Sequence, residues 1–126
     1  MPKSVPSGPD LERGSFPYSP VVEANGFVFV AGQTGSAPGT LEPVPGGIKA
    51  ETRQMLENVG RLLRAVGLDY SDAVRATVYL RNMDDFGAMN EVYREFFATE
   101  PPARATVGVA RLFGEFNVEI EVTAAR

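Results

Sequence analysis

The sequence predicts an α+β domain, a single β-sheet with two helices on one face. Three observations predict it. Five stretches read as strands and two follow the 3.6-residue helical period. They follow one another as strand, strand, helix, strand, helix, strand, strand, an order that suits one sheet with its helices laid together on one side. An Asn-Gly pair separates the first two strands, the strongest short hairpin signal a sequence carries. At 126 residues the chain is long enough for a single domain, 1–126, with a real core.

The elements follow in order. Residues 1–16 are rich in Pro, Gly, Ser and charge and read as a loosely held arm, with a short edge strand near the start. In "VVEANGFVFVAGQ", 21–33, Asn25-Gly26 makes the turn. Phe27, Phe29 and Ala31 point one way and Val28 and Val30 the other, so this strand is apolar on both faces and expects cover on both. In a chain this small, another subunit is one source of the second cover. Residues 34–47 form a long loop with four glycines and three prolines. From Ile48 to Val66 the apolar positions keep helical spacing, Glu51, Arg53, Glu57, Arg61 and Arg64 fill the other face, and Gly67 stands where a helix ends in a left-handed residue. "AVRATVYL", 73–80, alternates, with Val74, Ala76, Val78 and Leu80 on one face. A second helix follows, capped by Asn82 or Asp84, with Phe86, Met89, Val92, Tyr93, Phe96 and Phe97 as its inner stripe. Pro101-Pro102 ends it, and strands at about 104–112 and 117–124 close the domain.

Composition narrows the chemistry. There is no cysteine, which removes thiol nucleophiles, disulfides and thiolate metal sites. There is no histidine, which removes the Ser-His triad and the commonest general base. Carboxylates, Arg, Lys, Tyr, hydroxyls, backbone and water remain. The net charge is −4, and the 12 Lys and Arg are scattered, so nucleic acid is not an expected partner. No apolar run nears the roughly 18 residues of a membrane span. The first residues lack a signal-peptide apolar core, so the expected location is the cytoplasm.

Five places stand out. Arg104 sits at the mouth of the strand in "PPARATVGVARL"; its guanidinium stays charged and must meet an acid of the protein, an acid of a ligand, or water. Glu119 and Glu121 share the polar face of the last strand, either as a solvated face or with one of them ordering a water or moving a proton. "AGQTG", 31–35, is a turn or a place where Gly32 and Gly35 let the backbone approach a small ligand. Tyr18, in "FPYSP", lines a pocket or is half-buried packing. Asn90 lies beside the inner stripe of the second helix and needs hydrogen-bond partners there.

Six stretches, "PYSP", "FVFVAGQ", "ETRQMLENV", "VRATVYLRNMDDFGAMNEVYREFF", "PPARATVGVARL" and "VEIEV", resemble in order and spacing the RidA/YjgF/UK-type family of reactive-intermediate deaminases. The resemblance runs from about Tyr18 to Ala125. It implies a mixed sheet in a chorismate-mutase-like fold of the bacillus type, a homotrimer with helices outside, and ligand sites between neighbouring subunits. It implies metal-free, cofactor-free hydrolysis of carboxylate-bearing 2-imino or 2-enamino acids to 2-oxo acids and ammonium. On this chain, Arg104 matches the arginine that grips the substrate carboxylate and Glu119 the glutamate of the attacking water. Tyr18, Ala31, Gly32, Asn90 and Thr106 fall on cleft positions. Ala31 stands where many members carry Ser and Thr106 where many carry Cys, and "LFGEFN", 112–117, is bulkier than usual. These departures leave room for a specialised aminoacrylate- or aminomuconate-type deaminase, or for a non-catalytic trimer that binds small carboxylic acids.

Overall fold

The structure is a computed structural model and describes residues 2–126. Its elements are β1 (Val21–Ala24), β2 (Phe27–Thr34), α1 (Ile48–Ala65), β3 (Ala73–Leu80), α2 (Phe86–Phe96), β4 (Ala103–Gly108) and β5 (Val118–Ala125). They form one sheet in the order β1-β2-β5-β3-β4. The pairings are antiparallel except β3 with β4, whose parallel run is reached through the α2 crossover. The sheet is therefore mixed.

Local chemistry sets each boundary. The β1–β2 turn takes positive φ at Asn25 (53°) and Gly26 (80°), as a tight hairpin requires. At the other end of the first helix, Gly67 takes φ 81° and its N–H reaches the Arg64 carbonyl, while the Leu68 N–H closes on Leu63. Asn82 accepts the Asp84 N–H at 2.9 Å, but this caps a short 3-10 turn, Met83–Asp85, that leads into α2.

The core lies between the sheet and the helices. Met55, Leu56, Val59 and Leu63 of α1 and Met89 of α2 pack on Val28, Val30, Val78, Leu80, Val118, Ile120 and Val122. Burying each such side chain stabilises the fold by about 1.5–3 kcal/mol. The opposite face of the sheet carries Phe27 and Phe29, each 45% exposed, with Tyr79 and Glu121 joined by a 2.7 Å hydrogen bond.

Four local readings change. Val74 is exposed and Ala73 is buried, because the β3–β5 register shifts between Ala73 and Arg75 and turns Val74 outward. The strand at 104 ends at Gly108, where β3 also ends; a Cβ there would press on Met83. Glu51 is buried at 2% exposure, because its carboxylate takes the Asn117 N–H and side-chain amide. Within the N-terminal arm, the Ser4–Glu23 bridge matches the edge strand expected near the start, but Leu11 enters the core, so that part of the arm is not loosely held.

Candidate functional site

The predicted site residues fall into two groups, on opposite faces of the sheet. Arg104 and Thr106 pair in register with Ala76 and Val78, both core residues, so they share the helix face. Glu119 pairs with Tyr79 and Thr34 and shares the open face.

The first group is built on β4 and α2. The guanidinium carbon of Arg104 lies 4.6 Å from the Tyr93 ring centroid and 5.7 Å from that of Phe86. Both distances suit a cation over a π face. Among the described residues, no carboxylate forms an ion pair with it. Phe86, Asn90 and Tyr93 follow i, i+4, i+7 spacing, so Asn90 projects from the same stripe of α2 as the two rings. The hydroxyls of Tyr93 and Thr106 are buried without a hydrogen-bond partner among the described residues. Burial pushes the Tyr93 phenol above its usual range, and the positive Arg104 partly offsets that. Unpaired buried hydroxyls cost about 1–3 kcal/mol each; Tyr93 lies against the Arg104 cation, and Thr106 follows two residues along β4 on the same face.

The second group surrounds a cavity of about 470 Å³. Tyr18, Ala31, Gly32 and Glu119 line it. A register shift between Val30 and Gln33 releases Ala31 and Gly32 from pairing with β5. Such a bulge re-aims the backbone. The Ala31 N–H is instead held by the Pro20 carbonyl at 2.9 Å. Glycine at 32 lets the Glu119 carboxylate lie against the backbone: a Cβ there would meet that carboxylate, with its Cδ 3.2 Å away, and would push it aside. Burial raises the Glu119 carboxyl above the usual carboxylate range, and the neighbouring charge of Glu121 adds to the rise. A carboxylate whose pKa is raised is a stronger base once ionised, which suits a proton acceptor. Among the described residues, no cluster of three or more acidic side chains is placed to hold a metal ion, and no helix is long and apolar enough to cross a membrane.

Several residues at these places escaped the sequence reading. Phe16, Leu41, Phe113 and Phe116 complete the cavity's apolar wall. Phe113 and Phe116 belong to the bulky 112–117 loop, which gave a signal; Phe16 and Leu41 lie in irregular chain, where no period marks them. Tyr93 reads as core from its spacing and is buried, yet its ring also supports Arg104.

Comparisons with known proteins show what the chain as a whole is similar to. Residues 13–126 match the family model described as Endoribonuclease L-PSP. A RutC family protein of Pyrococcus horikoshii is 47% identical over 108 residues, 86% of each chain. The 2-iminobutanoate/2-iminopropanoate deaminase of Mus musculus is 41% identical over 110 residues, 87% of this chain and 82% of that one. The crystal structure of RidA from an Antarctic Psychrobacter species superposes with a TM-score of 0.88 at 32% identity, covering 98% of this chain and 99% of that one.

Proposed function

The chain belongs to the endoribonuclease L-PSP family, also written RidA/YjgF, and from that premise we propose that it hydrolyses 2-imino and 2-enamino acids to 2-oxo acids and ammonium. Relatives near 40% identity that bear the name 2-iminobutanoate/2-iminopropanoate deaminase support the reaction class. One observation carries the assignment on this chain. Arg104 is held over two rings, one of them that of Tyr93 with its unpartnered hydroxyl, and among the described residues no carboxylate pairs with it. A fixed guanidinium fork without an acid is a receptor for a ligand carboxylate.

The chemistry then needs little else. The protonated imine carbon is electrophilic. Glu119 takes a proton from a water as its oxygen bonds to that carbon. The resulting carbinolamine receives that proton back from Glu119 on its nitrogen, the C–N bond breaks as the carbonyl forms, and the hydroxyl proton passes to the departing ammonia, which leaves as ammonium. Holding the carboxylate and aiming one water accounts for most of the acceleration. Asn90 and Thr106 would complete the Arg104 side, and Tyr18, Ala31 and Gly32 the Glu119 side.

Arg104 and Glu119 lie on opposite faces of one sheet, so the reading requires Arg104 of one copy to meet Glu119 of another. The exposed Phe27 and Phe29 support packing through the open face, as in a closed trimer with the helices outside. A ribonuclease reading has less to rest on: the chain has no histidine and a net charge of −4.

The test is the semicarbazide-trapped decay of 2-iminopropanoate and 2-iminobutanoate generated by an amino-acid oxidase. Wild type should hasten imine loss, and Arg104→Ala should lower kcat/KM by about a hundredfold or more, as for a lost charged contact. Equal activity in both proteins would remove Arg104 from the site. An inactive wild type that still binds small acids would make the protein a binding trimer.

A further inference from the structure

The cavity beside Glu119 is two-sided. One end is polar, formed by Glu119 and the released backbone at Gly32. The other end is a wall of rings. Phe16 stacks on Tyr18 with centroids 6.3 Å apart and planes 5° from parallel. Phe113 meets Phe16 edge-on at 6.2 Å and stacks on Phe116 at 6.4 Å. Phe116 is buried, but Phe16, Tyr18, Phe113 and Leu41 are between 41% and 59% exposed. Water therefore wets an apolar surface directly beside the carboxylate.

The wall is built in advance. The Asn117 N–H bonds the buried Glu51 carboxylate at 2.9 Å. The Arg81 N–H bonds the Asn117 carbonyl at 3.0 Å, and the Arg81 guanidinium donates to the Gly114 carbonyl at 2.8 Å. The 112–117 loop is thus tied at Gly114 and Asn117 to α1 and to the residue that follows β3. A preformed apolar surface gains affinity without an ordering cost when a ligand covers it.

A methyl group at the reacting carbon would leave these rings in water. A phenyl or branched alkyl group would cover them, and aromatic rings favour stacked or edge-on partners at the spacings the wall already shows. Resting on the deaminase reading above, we infer that the Phe16–Tyr18–Phe113 wall sets the substrate class as 2-imino acids with a large apolar side chain, aromatic ones foremost. The reacting carbon lies at Glu119, the carboxylate points to Arg104 of another copy, and the side chain lies on the rings.

The experiment compares 2-imino-3-phenylpropanoate, 2-imino-4-methylpentanoate and 2-iminopropanoate, generated from the parent amino acids by an oxidase and trapped with semicarbazide. Wild type should prefer the phenyl over the methyl substrate by about tenfold or more in kcat/KM, the scale a hydrophobic pocket reaches. Phe113→Ala should cut that ratio by about tenfold, and Phe16→Ala should cut it in the same direction. Sedimentation should show the same mass for all three proteins. A wild type that hydrolyses all three imines but favours the methyl one overturns the substrate class and leaves the deaminase reading standing. An unchanged ratio in both variants does the same, as does a change of mass, which would make the wall a surface between copies. A wild type that hydrolyses none removes the deaminase reading and this inference together.

Discussion

Glu119 sits where a carboxylate is least comfortable when charged: half-buried, against a glycine, with Glu121 two residues on. Its pKa is raised in the folded state, so the folded protein holds this proton more tightly than the unfolded chain. The stability that goes with that proton is full below the ordinary carboxylate range and is lost as pH rises through the folded value. Once ionised, the group therefore strains the fold. Glu119→Gln keeps the shape and removes the charge. Thermal melts should show the variant more stable than wild type at pH 7, with the gap closing below the carboxylate range. A lower melting temperature for the variant at pH 7 would contradict this. Its deaminase activity should fall by about two orders of magnitude or more, the usual weight of a general base. Arg104 and Glu119 stand out in the sequence as candidates because a charge at a strand mouth and acids on a strand face are conspicuous types at conspicuous places, while the roles proposed for them come from the family resemblance. Tyr93 does not stand out, since one ring serves both core and cation, and spacing reports only the core.

At the scale of elements, side chains that tie irregular chain to regular elements matter as much as the core. Asn58 of α1 is buried, and its amide donates to the Thr34 carbonyl at 3.0 Å and the Ser36 carbonyl at 2.9 Å. Its oxygen accepts from Gln54 at 3.0 Å and Arg61 at 3.2 Å. It therefore anchors the end of β2 and the start of the long loop. Asn58→Ala would strand two carbonyls and lower stability by about 2–3 kcal/mol, as buried unsatisfied groups do. Urea unfolding should show a lower midpoint with an unchanged slope; a midpoint within error of wild type would mean the loop has other anchors. The same scale explains what the sequence conceals. Both helices, the hairpin and the succession of elements along the chain follow from period and turn chemistry, whereas the order of the strands within the sheet does not. The outward Val74, the inward Glu51 and the early end of β4 follow from register shifts and long-range hydrogen bonds, which no local period records.

For the whole molecule, the decisive geometry is that the sheet separates its two charged centres. Arg104 faces the helices and Glu119 faces away, and that second face carries the exposed rings of Phe27 and Phe29 beside polar side chains such as Tyr79 and Glu121. A protein surface rarely leaves paired phenylalanines uncovered without a partner. If copies close a ring through this face, each site takes Arg104 from one chain and Glu119 from another. Arg104→Ala and Glu119→Gln would each be inactive alone, because every site in either homo-oligomer lacks one group. Mixed and allowed to exchange subunits, they should recover activity. A site is whole when an intact Arg104 meets an intact Glu119, which random assembly into a closed ring provides in about a quarter of sites. Native mass spectrometry would report the mixed oligomers and the imine assay their activity. Mixed oligomers with no recovered activity would place both groups' action within single chains. Recovery to about a quarter of wild type would mean that the opposite faces of one sheet become the two walls of one cleft only when copies meet.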